Sequence, residues 1–432
     1  MQAMQGDWLP ARAALHSTGL YFSLREIRPA ELQDPFMQET IARIPARESV
    51  VQVAREDVGK GAAGTAPAGM IFHVARCGST LVSQLLKQHV GLVVYAEPLP
   101  VNEILLPPHR WSRAETVAAL RSLGAAFARH ARKPWVLKLT SWNTLFCDLV
   151  AEAFPATPWV LCLRDPLEVA VSLIERPAGW IWEGELPSAP FAKLVDPEGA
   201  ARSREEYVAR IYAAFCDAAS RLGPARGTLV DYGALPVALW DRVAPRFGLT
   251  VDAALRARMQ AAAQMNSKAP VARPAAFTGD SEAKRAAASS ALREAVARHA
   301  DGYVRYRALV LLTAFNDPRT GDVMRDAITS PNDRLRTVGY SYVAHHPDEA
   351  MAGALLAALD HELAEFVRPM LVRALAAHAQ TDEVQQALIR EAGRGEDFFR
   401  SAVIEALGDG RAVYAVPALE AIARLDGPLQ DD

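Results

Sequence analysis

Short apolar runs alternate with amphipathic helical patterns along the middle of the chain. Each run is five or six residues long, and between successive runs apolar residues recur at helical spacing. Continuous apolar strands that alternate with helices predict a parallel sheet covered on both faces. Such a sheet binds its ligand at the carboxyl ends of its strands. The predicted strands are MIFHV (70–74), GLVVY (91–95), PWVLKL (134–139), PWVLCL (158–163) and GTLVDY (227–232).

The C-terminal third has a repeating helical pattern instead. Four arginines lie 31 or 32 residues apart, each opens an apolar helical run, and a second helical run follows each time. Paired helices at this period are typical of an α-solenoid, and the segment resembles HEAT repeats. The alternative is an ordinary helical bundle. The four arginines are Arg305, Arg336, Arg368 and Arg400.

These patterns predict three parts. Residues 65–300 are expected to form an α/β domain, and residues 301–428 an all-α, HEAT-like solenoid. Residues 1–64 are expected to form a helical or irregular extension, in which WLPARAALHSTGLYFSL and PFMQETIARIPA are short helices that cap the α/β domain.

The composition excludes several classes of protein. With 47 Lys+Arg against 50 Asp+Glu, the net charge of -3 gives no general attraction to nucleic acid or acidic membranes. No apolar stretch approaches the roughly 18 residues of a membrane-spanning helix, and the first residues lack a signal-peptide pattern. The four cysteines show no CxxC spacing, so we expect reduced thiols in a cytoplasmic protein without a metal site. The oligomeric state is left open.

The turn after the first predicted strand has the residues of an anion-binding loop. Backbone N–H groups at the start of the following helix, together with the helix dipole, favour an anion there. Glycine lets the backbone approach a phosphate, the two hydroxyls donate hydrogen bonds, and arginine adds a positive charge. The Walker A pattern GxxxxGK[ST] is absent. The alternative is a tight strand–helix turn with a serine cap. The residues are Arg76, Cys77, Gly78, Ser79, Thr80 and Leu81.

A second cationic motif follows the fourth predicted strand, where Arg164 and Ser172 lie eight residues apart. Two separated cationic sites indicate a ligand with two anionic groups. At this point the chain resembles the PAPS-dependent sulfotransferases, in which PAPS is 3′-phosphoadenosine 5′-phosphosulfate. FHVARCGSTL (72–81) resembles their 5′-phosphosulfate loop, and RDPLEVAVS (164–172) resembles their 3′-phosphate motif. LVDYGAL (229–235) resembles a later strand and tyrosine of that family, and the resemblance covers about residues 65–300.

The resemblance implies a P-loop-like, three-layer α/β fold. It implies transfer of a sulfuryl group from PAPS to a hydroxyl or amine acceptor, with release of adenosine 3′,5′-bisphosphate and without a metal. Residues 76–81 would then hold the 5′ end of PAPS, and Arg164 and Ser172 the 3′-phosphate. A late basic loop closes on the 3′-phosphate in this family, which makes Lys268 and Arg273 candidates here. The acceptor is expected to be a small molecule or a carrier-bound group.

The chain departs from the family in three places. Many members have Lys where this chain has Arg76, and Ser where it has Cys77. Arg76 still binds and stabilises negative charge, but the pKa of a guanidinium is too high for it to serve as the acid at the leaving group. The glutamate that often follows the downstream tyrosine is replaced by Gly233.

Two further residues are catalytic candidates. Glu97, after the second predicted strand, lies at the same sheet edge as Arg76 and is the candidate base; tyrosylprotein and heparan sulfotransferases resemble this by using a glutamate. Lys138, at the end of the third predicted strand, would neutralise the charge that develops on the bridging oxygen. The alternatives are that Glu97 is a solvated or capping carboxylate and that Lys138 extends to solvent. Glu103 is the second candidate base, and Asp165 is expected to be an N-terminal helix charge.

Two other functions stay open. The chain is alternatively a catalytically inactive nucleotide-binding scaffold whose HEAT-like solenoid binds a protein partner. A P-loop phosphotransferase is the least favoured function, because the Walker lysine is missing before Ser79.

Overall fold

The computed structural model describes residues 6–16, 19–45, 51–60, 66–106, 111–183, 186–187, 189–199, 201, 203–315 and 319–424. Contacts within the chain divide it into two compact units, Met1–Lys284 and Arg285–Asp432. The predicted boundary at 300/301 lies further along the chain than this division. The predicted boundary at 64/65 falls on residues 61–65, which lie outside the described residues.

The N-terminal unit is built on a five-stranded parallel sheet in the order β10-β7-β4-β6-β5. This confirms the predicted α/β class, and each of the five predicted strands is present within two residues of its predicted start. A three-stranded antiparallel sheet and a short ribbon complete the described strands of the unit. The strands are β1 (Trp8–His16), β2 (Gly19–Glu26), β3 (Val51–Ala54), β4 (Gly69–His73), β5 (Val93–Ala96), β6 (Trp135–Lys138), β7 (Trp159–Leu163), β8 (Trp182–Glu183), β9 (Leu186–Pro187) and β10 (Gly227–Asp231).

Helices connect the parallel strands. Every residue of β4, β5 and β6 is buried, so these three strands are covered on both faces. None of the described helices combines the length and apolar character needed to cross a membrane. The helices are α1 (Met37–Arg43), α2 (Arg55–Val58), α3 (Ser79–Leu86), α4 (Leu99–Leu105), α5 (Arg113–Ala131), α6 (Cys147–Ala153), α7 (Pro166–Glu175), α8 (Ala189–Val195), α9 (Arg204–Ser220), α10 (Ala244–Arg246), α11 (Ala253–Ala263) and α12 (Ser281–Arg298).

The N-terminal segment is a β-hairpin, so the helix expected over WLPARAALHSTGLYFSL was wrong. Strands β1 and β2 pair antiparallel, and β3 adds to β2. The physical reason is alternation: Leu20, Phe22 and Leu24 are buried while the residues between them are half-exposed, which is a period of two. The second expected helix is present as α1. The buried residues of both segments join the hydrophobic core of the parallel sheet.

The C-terminal unit consists of helices in its described part. Helices α13, α15, α17 and α19 each pack against the next, and α14, α16 and α18 each pack against the helix that follows. This is the pairing that the repeat pattern predicts, but the solenoid itself stays a prediction. The helices are α13 (Gly302–Leu312), α14 (Thr320–Ala327), α15 (Asp333–His345), α16 (Ala352–His361), α17 (Arg368–Ala377), α18 (Asp382–Ala392), α19 (Asp397–Asp409) and α20 (Val416–Ala423).

The repeating arginines have a common structural role. Three of them donate to a backbone carbonyl close to the C-terminal end of the preceding helix, where the helix dipole favours a cation. Arg368 instead pairs with Glu391 in α18. Arginine therefore recurs in the sequence because each one binds a neighbouring helix or the residues that follow it. The three bonds are Arg305 to Val296, Arg336 to Ser330 and Arg400 to Ala392.

The start of β4 has no room for a side chain. A methyl group at Gly69 would overlap the ring of Phe247, which is itself buried. We predict that Gly69→Ala lowers the free energy of unfolding by about 1–3 kcal/mol through overpacking, as measured by denaturant unfolding. Gly179→Ala is the control, because its new methyl group meets nothing within 4 Å. Equal stability of the two variants would contradict this packing.

Candidate active site

The five parallel strands end at one edge of the sheet, and polar or charged side chains stand at each of these ends. Because parallel strands share a direction, their carboxyl ends bring together residues that are far apart in sequence. The residues are His73 at the end of β4, Glu97 after β5, Lys138 at the end of β6, Arg164 after β7 and Tyr232 after β10.

The turn between β4 and α3 is tightly wound. Ala75, Arg76 and Gly78 have φ angles of 67°, 48° and 81°, all in the left-handed region. Only glycine adopts this region without a steric cost, so two of the three residues are strained. Gly78 is the cap residue of α3, and buried Ser79 and Thr80 open that helix. Strained backbone at the start of a buried helix is a frequent feature of ligand-binding sites.

The Tyr232 ring connects this turn to the next motif. A Cβ atom at Gly78 would lie 2.7 Å from the ring of Tyr232 and 2.9 Å from a methyl group of Leu235. The guanidinium carbon of Arg164 lies 4.2 Å from the centroid of the same ring, which is cation–π geometry. The ring therefore contacts both predicted anion-binding motifs.

Arg164 faces the turn and is almost fully buried. Its Nη1 donates to the carbonyl oxygen of Arg76 at 3.2 Å, and its Nε donates to Glu168 at 2.7 Å. Its Nη2 donates to Asp280 at 3.3 Å and to the hydroxyl of Ser281 at 2.9 Å. A buried guanidinium needs this compensation, because leaving its charge unpaired costs several kcal/mol, on the order of 3–5.

Helix α7 holds the rest of the second motif. Asp165 caps it, with its carboxylate accepting from the N–H of Leu167 at 2.8 Å, and Pro166 fills its first position. The expectation that Asp165 is a helix-terminal charge is confirmed. Ser172 lies two turns further along α7 and is buried.

Lys138 and Glu97 form an ion pair. The Lys138 side chain is fully buried and its Nζ donates to Oε1 of Glu97, so the alternative that it extends to solvent is excluded. The ring of Phe36 lies 5.1 Å from the same ammonium. Glu97 has a φ angle of 51°, and its N–H donates to the carbonyl of Lys138 at 2.7 Å. Backbone and side chain of the two strand ends are thus joined.

The ion pair determines the proton affinity of Glu97. Burial raises the pKa of this carboxyl, but the charge of Lys138, with His73 also close by, outweighs burial and lowers the pKa to about 2. At neutral pH Glu97 is therefore ionised but weakly basic. A base matched to neutral pH has a much higher pKa, so this pair must separate before Glu97 accepts a proton readily.

His73 supports the pair from the central strand. Its Nε2 lies 2.9 Å from the carbonyl of Leu139 and 3.6 Å from Glu97, while its Nδ1 accepts from the N–H of Ala75 at 3.3 Å. These partners place the proton on Nε2. Burial lowers the pKa of His73, so the ring is neutral at physiological pH.

Two more cations lie beside this pair. The Arg76 guanidinium donates to the carbonyl of Arg176, and burial followed by the charge of Arg176 lowers its pKa. Loss of solvation, followed by the charges of Arg76 and Lys138, lowers the pKa of Lys268 to about 8. Lys268 therefore lies in the field of the first motif and of Lys138, in addition to any role at the second motif.

The remaining residues of the turn are passive in their acid–base chemistry. Cys77 is fully buried, and burial raises the pKa of its thiol to about 11. It is therefore a neutral thiol at physiological pH. Leu81 is half-buried in the first turn of α3.

Comparison with known proteins gives weak likenesses. No model of a protein family matches the sequence, and no curated protein matches it. The structure is similar to sulfotransferase STF9 from Mycobacterium avium, with 15% identity, 46% of this chain and 68% of that chain covered, and a TM-score of 0.32. It is also similar to sulfotransferase STF1 from Mycobacterium tuberculosis H37Rv, with 17% identity, 47% and 72% coverage and a TM-score of 0.31. At these scores the likeness carries no weight for function.

The sequence did not single out several residues of the site. His73 ends an apolar strand, and this position at a strand end was the available signal. Phe36 and Asp280 come from segments outside the two motifs, so only tertiary structure places them here. Glu103, the second candidate base, accepts from the N–H of Ala13 in β1 and from Arg12. It anchors the N-terminal hairpin and is not free to act as a base.

The turn depends on Gly78 for two reasons, its φ angle and its contact with Tyr232. We predict that Gly78→Ala lowers the free energy of unfolding by about 1–3 kcal/mol. Gly248→Ala is a matched control, since Gly248 also has a positive φ, of 69°, but nothing lies within 4 Å of its added methyl. A smaller effect at Gly78 than at Gly248 would contradict the contact.

The ion pair of Glu97 with Lys138 makes the stability of the fold depend on pH in the acid range. The pKa of Glu97 is about 2 in the folded chain and near its ordinary 4.5 when unfolded, so the carboxylate stabilises the fold above pH 4.5. This contribution, at most about 3 kcal/mol, is lost as the pH falls from 4.5 to 2. We predict that wild type loses more stability over this interval than Glu97→Gln does, measured by denaturant unfolding at each pH. If wild type and Glu97→Gln lost the same free energy of unfolding over this interval, the Glu97–Lys138 ion pair would be excluded.

Proposed function

We propose that this protein is a sulfotransferase that uses PAPS as its sulfuryl donor. One observation carries the proposal: the guanidinium of Arg164 donates to the carbonyl of Arg76, so the two predicted anion-binding motifs lie side by side at one sheet edge. A ligand with phosphate groups at both ends of an adenosine fits two adjoining cationic sites of this kind.

In this proposal the 5′-phosphosulfate of PAPS binds at the turn 76–81 and the start of α3. Backbone N–H groups there point toward the anion, and the dipole of the helix favours it. Arg164 and Ser172 bind the 3′-phosphate. Lys268 adds positive charge near the turn, since its ammonium interacts with the charges of Arg76 and Lys138.

The transfer itself needs alignment and charge stabilisation. The acceptor oxygen or nitrogen forms a bond to sulfur, and the bond between sulfur and the bridging oxygen breaks. The bridging oxygen leaves with the 5′-phosphate of adenosine 3′,5′-bisphosphate, and Lys138 and Arg76 stabilise its added negative charge. Glu97 takes the proton of the acceptor.

In this proposal the Lys138–Glu97 pair controls how strongly basic Glu97 is. In the resting chain Lys138 holds the pKa of Glu97 at about 2. An incoming phosphosulfate competes for the same ammonium. As Lys138 moves toward the bridging oxygen, burial then raises the pKa of Glu97, and the carboxylate becomes a stronger base when an acceptor is in place.

The acceptor, the compartment and the partner belong to the same proposal. We infer a hydroxyl or amine acceptor, as a small molecule or on a carrier, and a cytoplasmic location. A second candidate function is an inactive nucleotide-binding scaffold whose helical repeats bind a protein partner, and the low pKa of Glu97 favours it. Sulfuryl transfer from PAPS to any member of an acceptor panel would exclude the scaffold.

The 3′-phosphate is the part of the ligand that distinguishes this proposal from other nucleotide-binding functions. We predict that wild type binds adenosine 3′,5′-bisphosphate about 10- to 100-fold more tightly than adenosine 5′-phosphate, since a charge-assisted bond contributes about 1.5–3 kcal/mol. Arg164→Ala should lower this ratio by about tenfold, as measured by calorimetry.

Arg246→Ala is the control for this measurement. Arg246 binds the carbonyl of Ala225 at 2.6 Å, beside the amino end of β10 and therefore at the opposite sheet edge. Its removal should leave the ratio unchanged. Equal wild-type affinity for the two nucleotides would refute the proposed function, and Mg-dependent binding of ATP would favour a phosphotransferase instead.

A further inference from the structure

A carboxylate of the chain itself occupies the space in front of Arg164. Asp280 accepts from Nη2 of Arg164 at 3.3 Å on one carboxylate oxygen, and from Nζ of Lys284 at 2.7 Å on the other. The two cations therefore converge on a single anion. Lys284 belongs to neither sequence motif, and its position four residues after Asp280 in α12 directs it to the same point.

The cluster formed by Arg164, Lys284 and Asp280 consists of two buried cations and one more exposed carboxylate. The side chains of Arg164 and Lys284 are 5% and 6% exposed, whereas that of Asp280 is 41% exposed. Glu168 and the Tyr232 ring hold Arg164 in place from two further directions. Only the carboxylate can turn into solvent, which would leave two buried cations without their shared partner.

We propose that Lys284 is a further ligand of the 3′-phosphate and that Asp280 holds the place of this phosphate until the nucleotide binds. The inference rests on the proposed function. A phosphate has more acceptor oxygens and more charge than a carboxylate, so it replaces both ion pairs of Asp280 at once. Binding then includes the cost of displacing an internal competitor, which lowers the apparent affinity.

Only a ligand with a 3′-phosphate drives this exchange. A nucleotide without this group gains nothing by displacing Asp280, because Lys284 would lose its carboxylate partner and Arg164 would keep only Glu168. Adenosine 5′-phosphate therefore leaves the cluster closed, and Asp280 does not affect its affinity.

The test measures the affinity of variants for adenosine 3′,5′-bisphosphate by calorimetry, with adenosine 5′-phosphate alongside. Asp280→Asn keeps the shape of the side chain but removes its charge, and we expect about five- to tenfold tighter binding of the bisphosphate. Lys284→Met keeps the length of the side chain, and we expect binding at least about tenfold weaker. Binding of adenosine 5′-phosphate should change less than twofold in both variants.

Asp252→Asn is the matched control, because Asp252 caps α11 in the same unit through the N–H of Leu255 and makes no contact with the cluster among the described residues. Thermal unfolding of each variant establishes that it is folded. Unchanged bisphosphate affinity in Asp280→Asn, or in Lys284→Met, overturns this inference while wild-type binding upholds the proposed function. If no variant, Asp280→Asn included, binds the bisphosphate, both this inference and the proposed function are overturned.

Discussion

The site depends on the hydrogen bonds and ion pairs that the buried guanidinium of Arg164 makes. A charge so far from solvent has to be matched, and here the turn carbonyl of Arg76, the α7 carboxylate of Glu168 and the carboxylate of Asp280, just before α12, share that task. Segments that lie 88 and 116 residues from Arg164 along the chain are fixed to it as a result. The same charge, once its carboxylate partner gives way, is available to an anionic ligand.

A common principle describes both halves of the site. At each half a buried cation is held by a carboxylate of the chain: Lys138 by Glu97, and Arg164 by Asp280. In this structure both cations are paired within the chain, and in the proposed function a doubly anionic ligand exchanges these pairs for its own. Under that proposal, ligand binding and activation of the base are parts of one rearrangement.

The sequence predicted the parallel sheet well because its strands are continuous apolar runs with a distinct signature. It predicted the two cationic motifs because each follows a strand directly. It did not predict the N-terminal hairpin, because the alternation of Leu20, Phe22 and Leu24 is short and lies in a segment that also fits a helix. It also missed Asp280, since a carboxylate more than 100 residues from Arg164 has no local pattern that marks its partner. The low pKa of Glu97 likewise depends on a pairing that only the folded sheet creates.

A crystal structure of the protein with adenosine 3′,5′-bisphosphate would show directly whether Arg164 exchanges Asp280 for a phosphate. We expect the 5′-phosphate at the start of α3, the 3′-phosphate on Arg164, and the carboxylate of Asp280 turned away from both cations. A nucleotide bound elsewhere, or bound here with Arg164 still paired to Asp280, would contradict this exchange.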